Sequence, residues 1–197
     1  MMEEYDFGKI ERKWQDRWLD DGFYKTPPEV NEGEKLYVLD MFAYTSGSMH
    51  TGHARTYTLC DVIARYKKRQ GYKLLHPMGW DAFGLPADMA AVKHGMHPAD
   101  WTENNIVRWR QQFTRLGMPF DWDAEVTTCW PDYYRWTQWL FLKFFERGLA
   151  YKKYADCNWC PSCRTVLANE QAKGGRCERC DSIVEKRPLN QWFFRIT

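Results

Sequence analysis

The chain has 197 residues, 44% of them apolar and 27% charged, with 11 each of Trp, Tyr and Phe, a composition that excludes disorder as the dominant state. At this length a single large domain, or a domain plus a small module, can bury roughly 70% of the surface its unfolded form exposes. A formal net charge of +2, from 28 Lys and Arg against 26 Asp and Glu, carries no message about polyanions, so a nucleic-acid role has to rest on local features. No apolar stretch is long enough to span a bilayer and the opening residues lack the apolar core of a signal peptide, so the chain is expected in the cytoplasm.

In chain order, residues 5–22 place Phe7, Ile10, Trp14 and Trp18 at spacings of three and four, one face of a helix stopped at Gly22 and expected to pack on a larger body. Residues 36–42, LYVLDMF, form a short and nearly continuous apolar run, the pattern of a parallel strand covered on both faces. A loop of small residues follows. Residues 54–70 read as a helix with a stripe of Tyr57, Leu59, Val62, Ile63 and Tyr66, basic residues at its C-terminal end and Gly71 to stop it. YKLLHPM then reads as a second strand. Strand, helix and strand make a right-handed βαβ unit, which puts the loops 43–53 and 78–88 together at the carboxyl rim where such sheets bind ligands. Helices over 101–116 and 133–147, separated by a turn-like MPFDWD, complete an α/β domain with a parallel sheet.

Five of the seven cysteines crowd into residues 157–180, which marks a separate module and a boundary near Tyr151. Cys160-Pro-Ser-Cys163 and Cys177-Glu-Arg-Cys180 are two knuckles whose spacing suits a tetrahedral thiolate site for zinc; reduced, metal-free thiols are the alternative. Four protein ligands leave no open position, so the zinc would be structural. An iron–sulfur run through Cys157, Cys160 and Cys163 fails because Leu167 stands where a fourth cysteine is due.

His50-Thr51-Gly52-His53 lies beside the helix N-terminus, where free amides, the helix dipole and two imidazoles favour phosphate. Taken alone, the pair is as compatible with solvated loop histidines or a partial metal site. The second rim loop carries Asp81 among apolar neighbours, either a partner for a ligand ammonium or, with Asp88, a helix cap. Met41, Phe42 and Tyr44 at the end of the first strand are an apolar wall suited to a small apolar amino acid, or simply core.

Taken together, YVLDMFAYTSGSMHTGH, DVIARYKKRQGYKLLHPMGWDAFGLPA, FDWDAE, PDYYRWTQWLF and NWCPSCRTVLANEQ resemble the N-terminal part of the bacterial-type leucyl-tRNA synthetases, a class I aminoacyl-tRNA synthetase family. The resemblance implies the first half of a Rossmann-like catalytic domain with a parallel sheet over residues 1–151, a zinc-ribbon module over 152–187, and a stub over 188–197 leading towards an editing domain. It implies ATP binding at His50, Gly52 and His53, with the histidines as catalytic residues. Leucine would lie against Met41, Phe42, Tyr44 and Asp81, and structural zinc on Cys160, Cys163, Cys177 and Cys180. The partners it implies are ATP with Mg²⁺, leucine and tRNA(Leu), together with a second polypeptide carrying the missing half. Two departures stand out: Ala43 and Thr45 occupy positions where the family usually has prolines, and its lysine-rich KMSKS loop is absent from these residues. The rival expectations are a non-catalytic zinc-ribbon protein that binds RNA and a leucine-binding relative.

Overall fold

A computed structural model describes residues 5–28 and 33–196. They divide into two compact units, Met1–Tyr134 and Arg135–Thr197, each considered by itself. No helix among the described residues is long and apolar enough to cross a membrane.

The first unit opens with α1 (Phe7–Asp20), capped by Asp6, whose carboxylate accepts from the Lys9 amide at 3.0 Å. Three parallel ladders follow, in two sheets. β1 (Lys35–Tyr37) pairs with β3 (Lys73–Leu75), while β2 (Ala43–Tyr44) pairs with β4 (Pro77–Asp81), and β4 pairs with β5 (Asp121–Thr127). Parallel neighbours need long crossovers. Here α2 (Thr51–Arg69) supplies the first, and α3 (Leu85–Lys93) with α4 (Pro98–Leu116) supplies the second. The ladders are interrupted where Pro77 offers no amide hydrogen. At that break a side-chain pair replaces backbone pairing: buried His76 Nε2 meets buried Asp40 Oδ2 at 2.6 Å.

The core lies where α2 and α4 meet β4. Tyr57, Met78, Trp80, Ile106, Trp109, Phe113 and Phe120 are all buried there. Tyr57 and Phe120 meet Phe113 edge-on, with centroids 4.9 and 5.1 Å away, the arrangement that the ring quadrupoles favour.

Several expectations change. The run 36–42 is strand only over β1, and it is covered on one face: Leu36, Val38 and Asp40 turn inward whereas Tyr37, Leu39 and Met41 are exposed. Alternation along extended chain decides this, and an uninterrupted apolar run conceals it. α2 begins at Thr51, so Gly52 and His53 stand in its first turn. Its buried line is Tyr57 and Ala64 with half-buried Cys60, while Leu59, Val62, Ile63 and Tyr66 face out. Small side chains at 60 and 64 let the helix approach Val38 and Leu74, which larger residues would prevent. MPFDWD is no turn: Met118 and Phe120 are buried and the chain enters β5 at Asp121. α3, which follows Gly84, has no counterpart in the sequence reading.

In the second unit, β6 (Ala150–Cys160) is the centre of an antiparallel sheet of order β7-β6-β8, with β7 at Thr165–Leu167 and β8 at Glu185–Phe194. α5 (Pro131–Glu146) starts in the first unit. Its later turns pack here, with the Phe141 and Phe145 rings 4.9 and 5.7 Å from Trp192. The two compact units therefore divide inside α5. Residues 188–194, expected as a stub, continue β8 along β6.

Candidate functional site

The rim of the first unit is built from the carboxyl ends of β2 and β4. Their register sets Tyr44 opposite Asp81. Tyr44, Thr45, Ser46, Asp81, Phe83, Pro86 and Ala87 line a partly open cavity of about 10 Å³, room for no more than one water. Asp81 is half-buried and belongs to β4; the N-cap of α3 is Gly84, which makes no side-chain cap bond, so neither Asp81 nor Asp88 caps that helix. Met41 and Phe42 are not among these walls. The Met41 side chain is exposed and its carbonyl accepts from Tyr57 Oη at 2.9 Å. The Phe42 ring packs against Gly79, where a Cβ would come within 2.1 Å of it.

His50 is the N-cap of α2 and forms a reciprocal cap with His53: its Nδ1 accepts from the Gly52 amide at 3.1 Å, and His53 Nδ1 accepts from the His50 amide at 3.2 Å. A Cβ at Gly52 would meet the His50 ring at 3.0 Å, so a larger residue there would press on the ring that caps the helix. The two rings stack with centroids 3.7 Å apart. An Nδ1 that accepts an amide hydrogen is unprotonated, so each neutral ring carries its proton on Nε2. Partial burial, and then the neighbouring His50, push the His53 pKa down. The helix N-terminus thus presents two Nε2–H donors together with its own amides.

Sequence reasoning missed the side chains that hold this loop. Asn105 Nδ2 donates to the Thr45 carbonyl at 3.0 Å, Trp109 Nε1 to the Gly47 carbonyl at 2.6 Å, and Arg108 to Ser48 Oγ at 3.3 Å. All three lie on α4. The only signal was a polar Asn on the apolar stripe of residues 101–116.

In the second unit the sulfurs of Cys160, Cys163, Cys177 and Cys180 all lie within 4.8 Å of one another, with Cys160 and Cys180 at 3.4 Å. A tetrahedral site with bonds near 2.3 Å needs sulfurs about 3.8 Å apart, so the set fits zinc. The Cys163 amide donates to Cys160 Sγ at 3.3 Å, as a thiolate knuckle requires. Donation from the Ser182 hydroxyl and amide lowers the Cys180 pKa to about 6. The Cys163 thiol, hydrogen-bonded to Cys180, is pushed up to about 12. Cys157 stands outside the cluster, its thiol directed to the Ala155 carbonyl at 3.5 Å.

Parallel strands, a capped crossover helix and a thiolate cluster define a recognised class. Residues 13–197 match the family model of the class I tRNA synthetases (I, L, M and V), and the chain belongs to that family. It is 55% identical over 195 residues to the leucine–tRNA ligase of Symbiobacterium thermophilum, a match covering 99% of this chain and 22% of the relative. Its fold matches a LeuRS from Agrobacterium radiobacter, solved in a ternary complex with tRNA and LeuAMS, at a TM-score of 0.90 and 41% identity; 98% of this chain and 25% of that one are covered. Methionyl-tRNA synthetase from Mycobacterium tuberculosis shares the fold at a TM-score of 0.66 and 22% identity, over 83% of this chain and 32% of its own. The chain thus spans about a quarter of the length of its leucine-specific relatives.

Proposed function

We propose that this chain forms one wall of the activation site of a leucine–tRNA ligase, in which leucine and ATP give leucyl-adenylate and pyrophosphate before transfer to tRNA(Leu) in the cytoplasm. The observation that carries the reading is the reciprocal His50–His53 cap, which turns the α2 N-terminus into a pair of Nε2–H donors on the same rim as Asp81. His50, Gly52 and His53 bind the ATP phosphates: the imidazoles donate to oxygens that gain charge as the leucine carboxylate attacks the α-phosphorus, and Gly52 keeps the first turn open. Asp81 accepts from the leucine ammonium, with Tyr44 beside it, while Met41 and Phe42, which stand outside the present walls of that cavity, reach leucine only when it widens. Leucine entry requires the cavity at Asp81 to widen, because about 10 Å³ admits no amino acid. Mg²⁺ arriving with ATP offsets phosphate charge. Remaining parts of the site come from the rest of a longer enzyme or from a second polypeptide.

Cys160, Cys163, Cys177 and Cys180 hold a structural zinc that ties β6 to the turn after Gly175. The test of the main reading is calorimetry of this chain with a sulfamoyl analogue of leucyl-adenylate. Binding stronger than that of the valyl analogue, and weakened by His50→Gln, supports it; equal affinity for both analogues removes the leucine assignment.

A further inference from the structure

Residues 45–50 lie between β2 and α2, outside either element, so their polar groups need partners from elsewhere. α4 provides them, and one residue does two things at once. Trp109, 1% exposed, donates its indole hydrogen to the Gly47 carbonyl at 2.6 Å and lies against the His53 ring, with centroids 4.7 Å apart at 61°. His53 in turn stacks on His50. Neither histidine has a protein partner for Nε2 among the described residues.

We infer that Trp109 is a positioning residue: by tying down the loop at Gly47 and walling the His53 ring, it holds both imidazoles in the Nε2–H tautomer with their donors free for phosphate. The phosphate rests on the ATP reading above; the tautomer lock does not. Without the wall, the His53 ring can rotate about its χ angles and release the His50 amide. Its Nδ1 can then carry the proton, and the donor no longer points from the helix N-terminus. Freed from Gly47, the loop also gives up a bond next to the turn that sets the His50 backbone. Trp109 has a second, purely structural duty, since its ring packs on Trp80 and Phe113 at 6.2 and 5.7 Å. The experiment has to separate the two.

The ring nitrogens of His50 and His53 can be followed by ¹⁵N–¹H NMR in this chain alongside ATP titration, for the parent, W109F and W109A. W109F keeps an aromatic ring in the core and lacks only the indole donor and part of the wall, so it remains informative if W109A does not fold. The expected result is a pure Nε2–H pattern for both histidines in the parent and admixture of the Nδ1–H form at His53 in W109F. ATP affinity should fall a few-fold in W109F and about tenfold in W109A, the size of one well-placed hydrogen bond. A folded W109F with the parent's nitrogen pattern overturns the inference. A parent chain that shows the pure pattern and binds no ATP overturns the phosphate reading, while the nitrogen spectra of W109F still decide the role of Trp109.

Discussion

At the residue scale, the two halves of the proposed substrate meet different chemistry. In the proposed function the half-buried Asp81 would face the ammonium, and removing a charge partner in such a place typically costs roughly two to five kcal/mol. Asp81→Asn should therefore weaken leucine binding strongly, whereas His50→Gln should be felt with ATP or the adenylate and hardly with leucine alone. Calorimetry with each ligand separates these patterns, and equal losses at both positions would sink the division of labour. Gly79 gives a second prediction. Because a Cβ there would overlap the Phe42 ring at 2.1 Å, Gly79→Ala should destabilise by at least about 1–3 kcal/mol in urea unfolding. In a Phe42→Ala background much of that loss should disappear, since the two positions share one contact. Nothing in GWD announces this contact: Phe42 and Gly79 are brought together only by the β2–β4 ladder.

At the scale of elements, the α2 cap depends on an unprotonated His53. Its folded pKa lies below the ordinary 6.5. Protonation is then easier in the unfolded chain, so the stability it contributes is present above pH 6.5 and is lost as the pH falls towards and through the lowered value. Protection of the first-turn amides of α2 against exchange, relative to their intrinsic rates, should fall over that range, and His53→Asn, which can still accept from the His50 amide, should flatten the dependence. The thiolate module makes a separate prediction. One zinc per chain should be found by elemental analysis after reducing purification without chelator, and Cys157→Ser should leave that content unchanged because Cys157 stands apart from the four ligands. Metal content near zero would remove the zinc assignment. Paired knuckles were legible from spacing alone, since local chain geometry sets each CxxC pair. The ladder from Glu185 to Phe194 along β6 was not: strand pairing is decided by a partner distant in sequence.

At the scale of the whole molecule, the relatives are about four times as long as this chain, and in the proposed function it supplies one wall of the site. Donors on one side leave the developing charge at the α-phosphorus open to water on the other, where electrostatic stabilisation is weak. Pyrophosphate exchange with leucine by this chain alone should stay far below that of a full-length relative; comparable turnover would show that the histidine cap and Asp81 suffice.

What the sequence by itself determined is local or carried by contiguous strings. A helix after HxGH, the knuckles, the parallel unit and the family all follow from residues near one another in the chain, whose spacing is read directly; that the helix starts at Thr51 and is capped by His50 and His53 does not. What only the tertiary structure decided is which faces are covered and which distant side chains meet. Leu59, Val62 and Ile63 read as an inward stripe, yet the close approach of β1 and β3 selects small Cys60 and Ala64 for the interior. Asp40 and His76 meet at the break in the ladders, and Trp109 and Asn105 reach across from α4 to the loop before α2. Those pairings depend on packing between elements separated by dozens of residues, and no periodicity within either segment encodes them.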